Sequence, residues 1–123
     1  MGSSDQTSTS TDLSHGSWLV CNDRVLASLE IAITRKQRRQ GLLGREQADG
    51  AMLLRPAKCI HTVGMKFAID VAYVDEEQRV IRMDTMTPNR LGPIVRRSRA
   101  VIECDAGSLQ RWGIKLGDVL EFR

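Results

Sequence analysis

Aromatic side chains are scarce in this chain: two Trp, one Tyr and two Phe, 4% of 123 residues. Proteins that track single-stranded nucleic acid stack successive bases on several aromatic rings. The scarcity therefore argues against nucleic-acid binding and leaves a core of Leu, Ile, Val, Met and Ala. Cysteine is also sparse. Cys21, Cys59 and Cys104 are odd in number, widely spaced and lack a C-x-x-C pair, which excludes a disulfide framework and the commonest zinc spacings. No run approaches the ~18 apolar residues of a membrane-spanning helix. Nor does an apolar stretch follow Met1, so a secretory signal is not expected and a cytoplasmic location is. Reduced thiols, each a small buried apolar group, are the corresponding expectation.

Positive charge is in modest excess, 18 Lys and Arg against 15 Asp and Glu for a net +3. It gathers at Arg35-Lys36-Gln37-Arg38-Arg39 and at Arg96-Arg97-Ser98-Arg99. Such clusters either keep a face solvated or meet anions. Residues 1–16 are nearly all Gly, Ser, Thr, Asp and His, a composition read as a disordered tail because it buries too little to offset its ordering entropy. Residues 17–123 then form one domain of ordinary size.

Along that domain the pattern is one of short strands. Trp18 to Val20 and Arg24 to Ile33 flank the turn-prone Asn22-Asp23 and predict a hairpin. Thr34 and Gln37 have capping-box spacing, which starts a short helix from Arg35 to Leu43 that ends at Gly44. Further strands are predicted at Ala51–Leu54, stopped by Pro56, at Phe67–Val74, Arg79–Met86 and Arg99–Cys104, and at Val119–Phe122. Ser108 offers a cap for one helical turn closed by Gly113. Pro88-Asn89-Arg90-Leu91-Gly92-Pro93 reads as an exposed loop. Hairpins with little helix predict a mainly-β, antiparallel barrel or sandwich with one or two short helices.

The stretch Cys59 to Tyr73 concentrates the candidate chemistry. Asp70 lies inside a run that reads as a buried strand, so its carboxylate must be satisfied. The loop carrying His61 is the nearest source of donors, and Asp70 accepting backbone N–H bonds from Thr62 to Met65 is the expected arrangement. Cys59, His61 and Asp70 also invite comparison with a nucleophile, base and orienter. However, no oxyanion-hole element stands beside Cys59. A metal could use Cys59, His61, Asp70, Glu103 and Cys104, yet only Cys59-x-His61 has ligand spacing. His15 falls in the tail.

Several motifs recur together in a fixed order. These are G-L-L-G-R at Gly41–Arg45, M-L-L at Met52–Leu54, H-T-x-G-M at His61–Met65 and I-D-V at Ile69–Val71. D-E-E-Q-R-V at Asp75–Val80, I-E-C-D-A-G at Ile102–Gly107 and G-I-K-L-G-D at Gly113–Asp118 complete the series. From about Arg24 to Phe122 the chain resembles the bacterial and archaeal domain-of-unknown-function family 192. The resemblance implies a small, mainly-β single domain without an assigned activity or an agreed catalytic residue. Its strongest matches, Gly41, Gly44, Met65, Asp70, Gly107, Gly117 and Asp118, are turn formers and core residues.

The reading that follows is a non-enzymatic binding or accessory module without a cofactor or metal. Its candidate site is the His61–Met65 loop (His61, Thr62, Met65) above Asp70, rimmed by Arg45 or Arg97. A small anionic ligand or an acidic protein segment is the expected partner. The alternative is a hydrolase-like or metal-dependent enzyme that uses His61 and Asp70.

Overall fold

The computed structural model describes residues 17–32 and 50–123. Seven strands are present: β1 (Trp18–Cys21), β2 (Arg24–Ala32), β3 (Ala51–Leu54), β4 (Ile69–Val74), β5 (Val80–Met86), β6 (Ala100–Asp105) and β7 (Leu120–Phe122). One helical turn, α1 (Ser108–Arg111), precedes β7. The expected helix at Arg35–Leu43, the tail 1–16 and Arg45 lie outside the described residues.

The strands form one sheet in the order β5-β4-β6-β3-β2-β1-β7, so the mainly-β expectation holds. Asn22 and Asp23 both adopt positive φ, the backbone of a tight hairpin turn between β1 and β2. All neighbouring pairs are antiparallel except β2 and β3, which run parallel. That departs from the antiparallel expectation. Residues 33–50 join the two strands, a connection long enough to carry the chain back to the same end of the sheet.

The ends of the sheet approach each other. Arg79 and Val119 form an isolated bridge, the Val80 N–H donates to the Asp118 carbonyl at 2.8 Å, and the Leu120 N–H donates to the Gln78 carbonyl at 2.9 Å. The Gln78 side chain returns a bond to the Leu120 carbonyl. The Gly117 N–H adds a bond to the Val80 carbonyl at 2.8 Å, but no strand-to-strand ladder joins β5 to β7 among the described residues. The sheet is strongly curled, short of a closed barrel.

Strands β3 and β4 are buried at every residue, and β6 at all but Asp105. Both faces of the central sheet are covered, which is why I-D-V-A-Y-V lacks a polar solvent face. On one face Leu19, Leu29, Leu53, Ile102 and Leu120 pack with Leu109 and Ile114. On the other, Ile69, Val71, Tyr73 and Val101 pack under Ile60, Met65 and Met86. The alternation of Ala100, Ile102 and Cys104 against Val101 and Glu103 is observed as read from the sequence. Cys21 and Cys104 are buried, but Cys59 is exposed, contrary to its expected burial. It sits in the loop after Pro56, outside any strand.

Glu103 is the exception on the second face. It faces Met52 across β3 and Val71 across β4, is 5% exposed, and burial pushes its carboxyl up to about 7. A carboxyl whose folded pKa exceeds its unfolded value lowers stability as pH rises through that interval, because the folded state binds the extra proton. Glu103→Gln should therefore gain on the native chain between pH ~4.5 and ~7.5 by up to about 3 kcal/mol. Urea unfolding at the two pH values checks this, and a pH-independent difference would contradict it.

Candidate functional site

Asp70 is an internal anchor, but of a different segment from the one expected. It alternates with Ile69 and Val71, so its carboxylate turns to the α1 side of the sheet, away from the Thr62–Met65 loop. Oδ2 accepts the Gly107 N–H at 2.9 Å and the Leu109 N–H at 3.2 Å, while the Thr85 hydroxyl donates to Oδ1 at 2.7 Å. The carboxylate thus caps α1 from across the chain, where Gly107 has φ 93 and no side chain on the turn does so. Ser108, the expected cap, accepts instead from Arg111. The C-terminal end follows the sequence reading: Gly113 has φ 74, and the Ile114 and Gly113 N–H groups bond back to Leu109 and Gln110, a Schellman ending. Cys104 lies against the Asp70 carbonyl. Its thiol is pushed up to about 12, first by burial and then by the Asp70 charge, so it stays protonated and inert. A cleft of about 350 Å³ opens beside Asp70, walled by Met83, Leu109 and Ile114, but its buried carboxylate is already committed to three protein donors.

The His61–Met65 loop is fixed by other means. Residues 57–65 run antiparallel to residues 87–99, and the two segments cover the second face together. The Gly92 N–H donates to the Ile60 carbonyl and the Val95 N–H to the Lys58 carbonyl, both at 2.8 Å. Thr62 is the clamp. It is fully buried, exchanges backbone bonds with Asn89 and Arg90, donates its hydroxyl to the Thr87 carbonyl at 2.6 Å, and accepts the Arg90 N–H at 2.9 Å. The Asn89 side chain takes the Gly64 N–H. Met65 is 7% exposed and belongs to the core. His61 is exposed, its Nδ1 accepting the Val63 N–H at 3.3 Å.

Between the second of these segments, at residues 87–93, and β5 lies a crevice of about 260 Å³, lined by Arg82, Met86, Thr87, Arg90, Leu91 and Gly92 among others. Arg82 is held by Asp84 through bonds of 2.7 and 3.3 Å, which raise its pKa. Among the described residues the Arg90 side chain bonds only Thr87 Oγ1, at 3.3 Å through Nε, and makes no ion pair. Behind the crevice stands Tyr73. It is 0% exposed, yet its hydroxyl has no hydrogen-bond partner among the described residues. Burial, followed by the nearby Asp84 charge, pushes it up to about 12.

The remaining expected site residues are dispersed. Arg97 lines a separate crevice with Asp75, Glu76 and Glu77, beyond the Val74 end of β4. Thr62 is clamped near Met86, which pairs with the opposite end at Ile69. The length of β4, about 17 Å, separates them, so Arg97 does not rim the His61 loop. Sequence reading missed Arg90 and Tyr73. Their available signals were an Arg confined between two prolines, and a lone Tyr in a run where a β-branched residue would fill the core without a hydroxyl. No three His, Cys, Asp or Glu side chains among the described residues converge to hold a metal ion. No helix among the described residues is long and apolar enough to cross a membrane.

This architecture is that of two solved structures. A protein of unknown function from Novosphingobium aromaticivorans is 22% identical with a TM-score of 0.73, over 85% of this chain and 82% of that one. A Sinorhizobium meliloti protein provisionally described as a transcription regulator is 24% identical with a TM-score of 0.71, over 86% and 91%. At these identities the likeness establishes the fold alone. The family model DUF192, described as an uncharacterized ACR, matches residues 19–122, and the chain belongs to that family. No curated protein matches it.

Asp70→Ala should destabilise the domain by about 2–4 kcal/mol, since it strands two buried N–H donors and the Thr85 hydroxyl. Asp70→Asn, which keeps one acceptor oxygen, should lose less. Urea unfolding measures both. A loss below about 0.5 kcal/mol for the alanine variant would show that the α1 turn does not depend on this carboxylate.

Proposed function

We propose that this chain is a non-enzymatic binding or accessory module for a small anionic ligand or an acidic protein segment. The site is the clamped pair of loops, His61–Met65 against Thr87–Pro93, and the crevice that the Thr87–Pro93 loop makes with β5. The observation that carries this reading is the Arg90 guanidinium, which has no ion-pair partner among the described residues and extends from a backbone bonded to Thr62. A cation on an ordered backbone gives up less freedom on binding an anion than one on a mobile loop. Exposed Leu91, which lines the same crevice, adds apolar contact area beside it. Arg90 takes over the role expected of Arg97, and Thr62 acts as the positioning residue.

The enzyme alternative requires His61 and Asp70 to share a site. Asp70 is saturated by Gly107, Leu109 and Thr85 on the opposite face of the sheet, so no observation favours that pairing. The reading includes a cytoplasmic location, which the three unbridged cysteines support.

Titration of ¹⁵N-labelled protein with acetate and inorganic phosphate tests the proposal. Amide shifts should centre on Thr87 to Gly92, and Arg90→Ala should weaken binding about tenfold or more, as loss of a charge-assisted bond does. Shifts confined to other surfaces, or wild-type affinity in the Arg90 variant, would contradict it.

A further inference from the structure

Tyr73 and Gly92 meet behind the crevice. A Cβ built on Gly92 would lie 2.7 Å from the Ile60 carbonyl oxygen, and 3.3 Å from both the Tyr73 hydroxyl and the Met86 methyl. The loop therefore passes close to the hydroxyl at a residue without a side chain, and the Met86 methyl lies at the same distance. Met86 is 7% exposed and lines the crevice together with Gly92. A methionine has three rotatable bonds and repacks at small cost, so this wall can yield. A buried hydroxyl without an acceptor is costly and uncommon in native proteins, and here it lies beside Gly92, which lines the crevice.

Charge narrows the ligand. Two guanidinium groups, Arg82 and Arg90, and one carboxylate, Asp84, line the crevice, a local balance of one positive charge. Arg82 is already spent on Asp84. Among the described residues one cation of the crevice lacks an ion-pair partner, which suits a monoanion, whereas a phosphate dianion would meet Asp84 without a second such cation. Met86, Leu91 and Pro93 supply apolar contacts beside it.

We infer that the Tyr73 hydroxyl is the buried hydrogen-bond donor of this crevice, and that its acceptor is the carboxylate of a monoanionic ligand with a short apolar body. The inference rests on the binding reading above and adds the ligand class and a specificity-determining residue. The Arg90 guanidinium offsets the charge of the carboxylate, which enters past the Met86 methyl to reach the hydroxyl. The tyrosine stays protonated throughout the physiological range and so remains a donor.

Because the chain has a single Tyr, its ring resonances report on the site without ambiguity. The full chain is titrated with butyrate and with inorganic phosphate, as wild type, Tyr73→Phe and Arg90→Ala. Butyrate should shift the Tyr73 ring and the Gly92 amide and saturate at lower concentration than phosphate. Tyr73→Phe should weaken butyrate about tenfold while leaving the melting temperature equal or higher, since the hydroxyl has no partner among the described residues to lose. Wild-type butyrate affinity in Tyr73→Phe, or a lowered melting temperature without loss of affinity, would overturn the inference and make the hydroxyl purely structural. Phosphate binding tighter than butyrate would overturn the ligand class. Failure of the underlying reading looks different: Arg90→Ala would then bind both anions as wild type does.

Discussion

Coverage of β4 on both faces is the constraint from which the rest of this structure follows. A strand with one wet face can turn its polar atoms to water. A strand buried on both sides must find a protein partner for each polar atom or leave it in deficit. β4 and its neighbour β6 carry three such groups, resolved in three ways. Asp70 takes two backbone amides and a hydroxyl and so holds the α1 turn. Glu103, at the centre of the sheet, meets its burial by favouring the protonated form. The Tyr73 hydroxyl is left without an acceptor among the described residues. That gradation separates structure from candidate function, because a saturated group has no capacity left for a ligand.

The cover over the second face is made of loops, which lack a ladder of their own. Their backbone groups are satisfied by each other, and Thr62 does most of this with its backbone and hydroxyl together. Such a cover is stiff without being a sheet. It places Arg90 and Leu91 at a defined height above β5, as a binding surface requires.

Much of the chain could be read from local chemistry. Asn22-Asp23, Pro56 and Gly113 mark their turns, and the period-two pattern of β6 assigns its faces correctly. The burial of Asp70 was equally legible, since an acid inside an apolar strand must be satisfied. Its partner was not. Alternation says that Asp70 faces away from Ile69 and Val71, but the sequence does not say which segment covers which face. The nearby Thr62 loop was the natural choice, and the distant Gly107–Leu109 turn holds the place. The parallel pairing of β2 with β3 escaped for a similar reason, because strand direction depends on the route of the connection. Arg97 was misplaced because a charge cluster in sequence carries no information about which end of a strand it reaches.

Amide hydrogen exchange at Thr62, Asn89, Arg90 and Gly92 tests the central claim, a preformed loop pair, most directly. Protection approaching that of β4 is the predicted result. Exchange at the rate of exposed, unbonded amides would show that the loops open freely, and the fixed cation above the crevice would be lost with them.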